Sequence, residues 1–155
     1  MRPGPAKTLL AAALLLAGCS CNPPPELPGM VIKAGNGAEV QDLDPQQVTG
    51  VAEHRVLCSL FEGLAGVAPA TLDPVPGAAA SWNISPDGLT YTFHLRPDGK
   101  WSDGAPLTAE DFAWSWRRML SPRLAAEYAY LLHCLRGAQA YNAGDTDDFS
   151  TVGVR

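Results

Sequence analysis

Three turn signals crowd one short stretch of the chain: Pro86-Asp87-Gly88, Pro97-Asp98-Gly99 and Ser102-Asp103-Gly104. An Asp carboxylate bonds the main chain two residues on, and Gly enters conformations closed to other residues, so each triplet reverses the chain. No long helix fits between such turns. Residues 82–85 and 90–95 flank the first of them and read as two strands of a hairpin. In the second strand Tyr91, Phe93 and Leu95 alternate with Thr90, Thr92 and His94, the pattern of a half-buried strand.

Helical periodicity appears on both sides of this region. Across residues 53–64, Val56, Leu57, Leu60, Phe61 and Leu64 fall on one face, with Gly63 and Gly66 to close the segment. Thr108-Ala109-Glu110-Asp111 is a capping-box-like start, and the helix behind it is expected to bury Phe112, Trp116, Met119 and Leu120. A third helix is expected over residues 125–135, aligning Tyr128, Leu131, Leu132 and Leu135. Residues 30–34 read as a strand ended by Gly35-Asn36-Gly37, and beyond residue 135 the chain turns polar. Trp82, Trp101, Trp114 and Trp116 read as structural support, and Asp44 and Asp103 as turn-fixing residues. The class is α/β or α+β, and so few strands suggest the opening portion of something larger.

The first eighteen residues do not belong to that pattern. Arg2 and Lys7 precede an apolar run at 8–17. Ten helical residues span about 15 Å, half of a bilayer core, so the run reads as a secretory signal rather than a membrane span. It ends in Leu16-Ala17-Gly18-Cys19, similar to the bacterial lipobox, in which the cysteine is acylated and becomes the new N-terminus. The expected organisation is a signal at 1–18, a proline-rich tether at 19–29 and a globular part from residue 30. Loss of the signal removes two basic and no acidic residues, leaving nine basic side chains against sixteen acidic ones. That balance disfavours nucleic acid and anionic lipid, so the membrane anchor must be the lipid on Cys19.

Of the remaining cysteines, Cys21 sits in the tether, and Cys58 and Cys134 lie in segments read as helices. The last two either form a disulfide in an oxidising compartment or sit as buried thiols in a core. His54, His94 and His133 lack ligand spacing, so no metal site is expected from them. There is no G-x-S-x-G and no H-E-x-x-H, which argues against an extracytoplasmic hydrolase.

Further motifs come in order: Asn36-Gly37 with Glu39, Leu43-Asp44-Pro45, Leu60-Phe61-Glu62-Gly63-Leu64, Ala80-Ser81-Trp82 and Tyr91-Thr92-Phe93-His94-Leu95-Arg96. Lys100-Trp101-Ser102-Asp103-Gly104, residues 106–112, Trp116-Arg117-Arg118, Tyr128-Ala129 and Gly153-Val154 continue the series. Together they resemble the oligopeptide-binding proteins of ABC importers, bacterial extracellular solute-binding proteins of family 5. The resemblance implies a two-lobed fold of the type II periplasmic-binding kind, with residues 30–155 as the N-terminal part of lobe I. The chain is then expected to be a truncated or partial form.

The resemblance also implies a function: capture of oligopeptides by a monomeric, lipid-anchored protein that delivers them to a permease and its ATPase, with no cofactor and no catalysis. Binders of dipeptides, nickel complexes, haem or sugars, or a sensor lipoprotein, are the alternatives within the same fold. Thr49, Gly50 and Val51 match a segment that lends backbone groups to the ligand, and Tyr128 matches a tyrosine that reaches it. Gly50 reads equally as a plain loop glycine before a helix, and Tyr128 as a core aromatic. Arg96, Arg117 and Arg118 are expected to form ion pairs within the lobe.

Overall fold

The computed structural model describes residues 34–155; the signal, the tether, Cys19, Cys21 and nearly all of the strand expected at 30–34 lie outside them. From Asn36 to Arg155 the chain forms one compact unit. Helix α1 (Val51–Leu60) leads into two antiparallel hairpins, β1 (Ala65–Val67) with β2 (Pro74–Pro76), and β3 (Ala79–Ile84) with β4 (Tyr91–Leu95). Helix α2 (Ala109–Met119), a 3-10 helix (Glu127–Cys134), the short α3 (Ala138–Ala143) and a 3-10 turn (Phe149–Thr151) complete it.

The β3–β4 hairpin forms where alternation and the Pro-Asp-Gly turn place it. Trp82 pairs with Phe93 and Ile84 with Tyr91, while a register shift between Ala79 and Ser81 kinks the base. The turn is closed by Asp87 Oδ1, which accepts from Leu89 N at 3.1 Å and from the Ser85 hydroxyl. The Ser85 hydrogen bond, helped by that from Leu89, holds the Asp87 carboxyl below its ordinary range. The β1–β2 hairpin is not legible in the same way. Prolines at 69, 74 and 76 disguise it as loop, yet short edge strands tolerate proline because an outward N–H is not needed.

Helix α2 starts at the expected capping box, with Thr108 N donating to Asp111 Oδ2 at 2.8 Å. That bond is the main cause lowering the Asp111 pKa. Phe112, Trp116 and Met119 are half-buried, and Leu120, just past the end, is fully buried. Trp114 departs from its expected supporting role: it is 64% exposed, on the face opposite that stripe. The core is completed by Ala138 and Tyr141 of α3 and by Val152, with Leu132, Leu135, Phe149 and Val154 packed around it. Tyr141 meets Phe149 edge-on at 5.3 Å. Gly137 makes this closure: at φ 73° its missing Cβ would stand 2.5 Å from the Thr151 carbonyl oxygen.

Besides β3, which starts three residues before the expected 82, two boundaries differ from expectation. Helix α1 begins at Val51 and stops at Leu60, because Phe61 turns to extended backbone; Leu60 and Phe61 are consequently exposed rather than part of a buried face. The third helix is a 3-10 helix, not α, and presents Ala129 as its buried residue. Its tighter three-residue turn moves Leu131 to the surface while Leu132 and Leu135 stay on the core side.

Candidate functional site

The site is built on the turn before α1. Asp42 Oδ1 accepts from Asp44 N at 3.0 Å, and Asp44 Oδ1 from Gln46 N at 3.1 Å, winding residues 42–46 tightly. Helix α2 anchors this turn from the other side. Arg118 donates to both carboxylate oxygens of Asp44, through Nη1 at 2.9 Å and Nη2 at 2.5 Å, and also to Gln46 Oε1. The Gln46 amide, buried, donates in turn to the carbonyl and hydroxyl oxygens of Ser115 at 2.7 and 2.8 Å. The Arg118 fork holds the Asp44 carboxyl below its usual range. Of the expected arginine pairs, Arg118–Asp44 and Arg96–Glu62 are formed. Arg117 instead lies over the Phe149 ring at 5.9 Å.

Beyond this anchored turn the chain reaches Gly50, which has extended backbone (φ −83°, ψ 150°) and caps α1. Among the described residues no main-chain hydrogen bond reaches the Thr49 N–H, the Thr49 C=O or the Gly50 N–H. Such groups seek partners, because burying them unpaired costs about as much as a lost hydrogen bond. Gly50 lacks a side chain for a specific reason. A Cβ there would collide with Glu53 Oε2, whose carboxylate folds back under the turn and accepts from Gln41 N at 3.1 Å. The space beside Gly50 is thus filled by Glu53. Glu53 in the first turn also suits the positive end of the helix.

Thr49, Gly50, Val51 and Tyr128 all line one concavity of about 300 Å³, together with Pro45, Val48, His54 and Leu57. Val51 is 68% exposed on its rim, and Tyr128, from the 3-10 helix, is 37% exposed and edge-on to Tyr130. Tyr128 is therefore a surface aromatic on this wall, not a core one. His54 and Leu57 were missed as lining residues, although each follows Gly50 or Glu53 by four positions and so shares its helix face. Cys58 and Cys134 are both free and exposed. No bridge joins them, and neither is a buried thiol: Cys58 contacts His54 on its own helix, and Cys134 donates to the Leu131 carbonyl.

The sequence and the fold match those of known proteins. The model of the family "Bacterial extracellular solute-binding proteins, family 5 Middle" matches residues 73–153. The chain belongs to this family. The family-5 chain is 47% identical to periplasmic oligopeptide-binding protein OppA of Haemophilus influenzae over 117 residues, covering 76% of this chain and 21% of the relative. It is 50% identical over 97 residues to OppA of Escherichia coli, covering 63% and 18% respectively. The crystal structure of Haemophilus influenzae OppA in complex with RPPGFSPFR superposes with a TM-score of 0.71 at 44% identity, over 77% of this chain and 23% of that one. The family-5 chain thus spans about a fifth of the length of the curated relatives it matches. Its fold is that of the matching part of these type II periplasmic-binding proteins.

Proposed function

We propose that this chain forms one wall of a peptide-binding cleft in a lipid-anchored, extracytoplasmic protein serving an ATP-driven importer. The observation that carries the reading is the strip at 49–50, whose Thr49 N–H and C=O and Gly50 N–H meet no main-chain partner among the described residues, beside a concavity rimmed by Tyr128. A binder that accepts many peptides reads what all peptides share. Pairing with an added extended strand does so, while side chains occupy roomy, hydrated pockets. Thr49 and Gly50 supply the pairing groups, Val51 borders them, and Tyr128 covers the ligand. The similarity to OppA proteins, one solved in complex with RPPGFSPFR, supports peptides as the solute class. The activity is binding, not catalysis.

In the mature protein residues 1–18 are removed, Cys19 carries the lipid, 19–29 are the spacer, and residues 30–155 belong to the first lobe. The protein acts as a monomer, and its ligand-loaded form docks on the permease, whose ATPase supplies the energy. Labelled palmitate incorporated by the wild type and lost in Cys19→Ser tests the anchor.

The three main-chain groups that this wall offers contribute about 1 kcal/mol each when paired with a peptide. Their sum falls short of the roughly 8 kcal/mol of micromolar affinity. This wall by itself therefore binds peptide only weakly, in the millimolar range. Backbone NMR is suited to that range: a mixture of dipeptides to nonapeptides is expected to shift the amides of Thr49, Gly50 and Val51 and the ring protons of Tyr128. Shifts confined to other residues, or none at millimolar peptide, reject the reading.

A further inference from the structure

His54 and Cys58 stand one helical turn apart on α1, an i,i+4 spacing that puts both on one face. Their side chains meet: Cys58 Sγ lies 3.4 Å from His54 Nε2 and 3.8 Å from Nδ1, and both residues are exposed. Zinc binds thiolate sulphur at about 2.3 Å and imidazole nitrogen at about 2.0–2.1 Å, so at a tetrahedral angle the two donors stand roughly 3.5 Å apart. The pair on α1 already has that bite.

We propose that His54 and Cys58 form a two-point chelate for a thiophilic divalent cation of the zinc class, on the flank of the concavity that His54 helps to line. A sulphur and an imidazole select such metals over calcium and magnesium, which prefer oxygen. Among the described residues no group of three or more His, Cys, Asp or Glu gathers to hold a metal. Two positions of the tetrahedron therefore stay open to water or to a donor atom of a bound solute, unlike a closed structural site. The Cys58 thiol gives up its proton as the metal–sulphur bond forms, and His54 binds as the neutral ring, so one proton leaves per metal bound. The partner of His54 is a cysteine, so spacing among the three histidines carries no trace of the pair.

The test uses the full chain with Cys19, Cys21 and Cys134 changed to serine, which leaves Cys58 as the only thiol of four. Cobalt(II) alone serves as the spectroscopic probe. The expected result is a thiolate-to-cobalt charge-transfer band that saturates at one metal per chain, releases one proton and is bleached by zinc. Cys58→Ser abolishes the band, and His54→Ala weakens binding at least the ~10-fold that loss of even an outer partner of a metal site costs. Both side chains are exposed, so neither change disturbs the core, and unchanged circular dichroism checks this. No band at millimolar cobalt overturns the proposal, as does a band that His54→Ala leaves untouched.

Discussion

The β3–β4 hairpin and the helical cluster that follows it hold their chains together by opposite means. In the hairpin the ladder and the Asp87 turn fix the shape, while Ile84, Tyr91 and Leu89 remain exposed, the last at 82%. In the cluster, Leu120, Ala138 and Val152 are wholly or almost wholly removed from water, with Leu132, Leu135, Phe149 and Val154 packed around them. The first region is shaped by local polar chemistry and the second by burial between segments distant in sequence. Stability should therefore be distributed unevenly, concentrated where apolar area is lost to water.

Leu120→Ala tests that contrast with the largest effect. Removing a fully buried leucine side chain that several elements surround is expected to cost about 2–5 kcal/mol, read by urea or thermal unfolding. Phe93→Ala in the hairpin removes a larger side chain, but a half-buried one held against Trp82 at 6.3 Å. About 1–2 kcal/mol is expected, since only part of its area leaves water on folding. If Phe93→Ala costs as much as Leu120→Ala, the division between the regions fails. Thr108→Ala lies at the junction. It removes one half of the capping box that begins α2, and about 1 kcal/mol should follow. Leu89→Ser, at the exposed hairpin tip, should stay within ~0.5 kcal/mol of wild type.

The same contrast decides what could be read from residues alone. The hairpin turn and the Thr108–Asp111 cap are short-range signals found where their residues place them, and the strand alternation holds at Phe93 and Leu95 but not at the exposed Tyr91. Helix α3 has six residues, too few for a 3.6-residue period to show, and it is held by contacts with Leu120 and Val152. No window along the sequence contains that information. The site divides likewise. Thr49, Gly50, Val51 and Tyr128 were named only through the family resemblance, and the fold brings them to one concavity. That Asp44 and Gln46 are tied to Arg118 and Ser115 joins residues about seventy positions apart, a pairing that neither composition nor spacing encodes.

That tie supplies a small expected effect, and it separates long-range from local chemistry in the acid range. Asp44 and Asp87 both have depressed pKa values, the first through the Arg118 fork from a distant helix, the second through Ser85 in its own turn. A carboxyl whose folded pKa lies below its unfolded one adds stability at pH values above the unfolded pKa, near ~3.9 for Asp. The gain disappears as pH falls through the folded value. Wild type should therefore lose the Asp44 contribution only below about pH 4. Asp44→Asn should lower stability modestly near neutrality, since a partly exposed ion pair contributes little. Its deficit against wild type should shrink as the pH falls, because a protonated Asp44 carboxyl and the amide that replaces it no longer differ in charge. Chemical denaturation from pH 7 down to pH 2 checks this: curves for wild type and variant that run parallel throughout would show that the Arg118 fork does not stabilise the turn carrying Thr49 and Gly50.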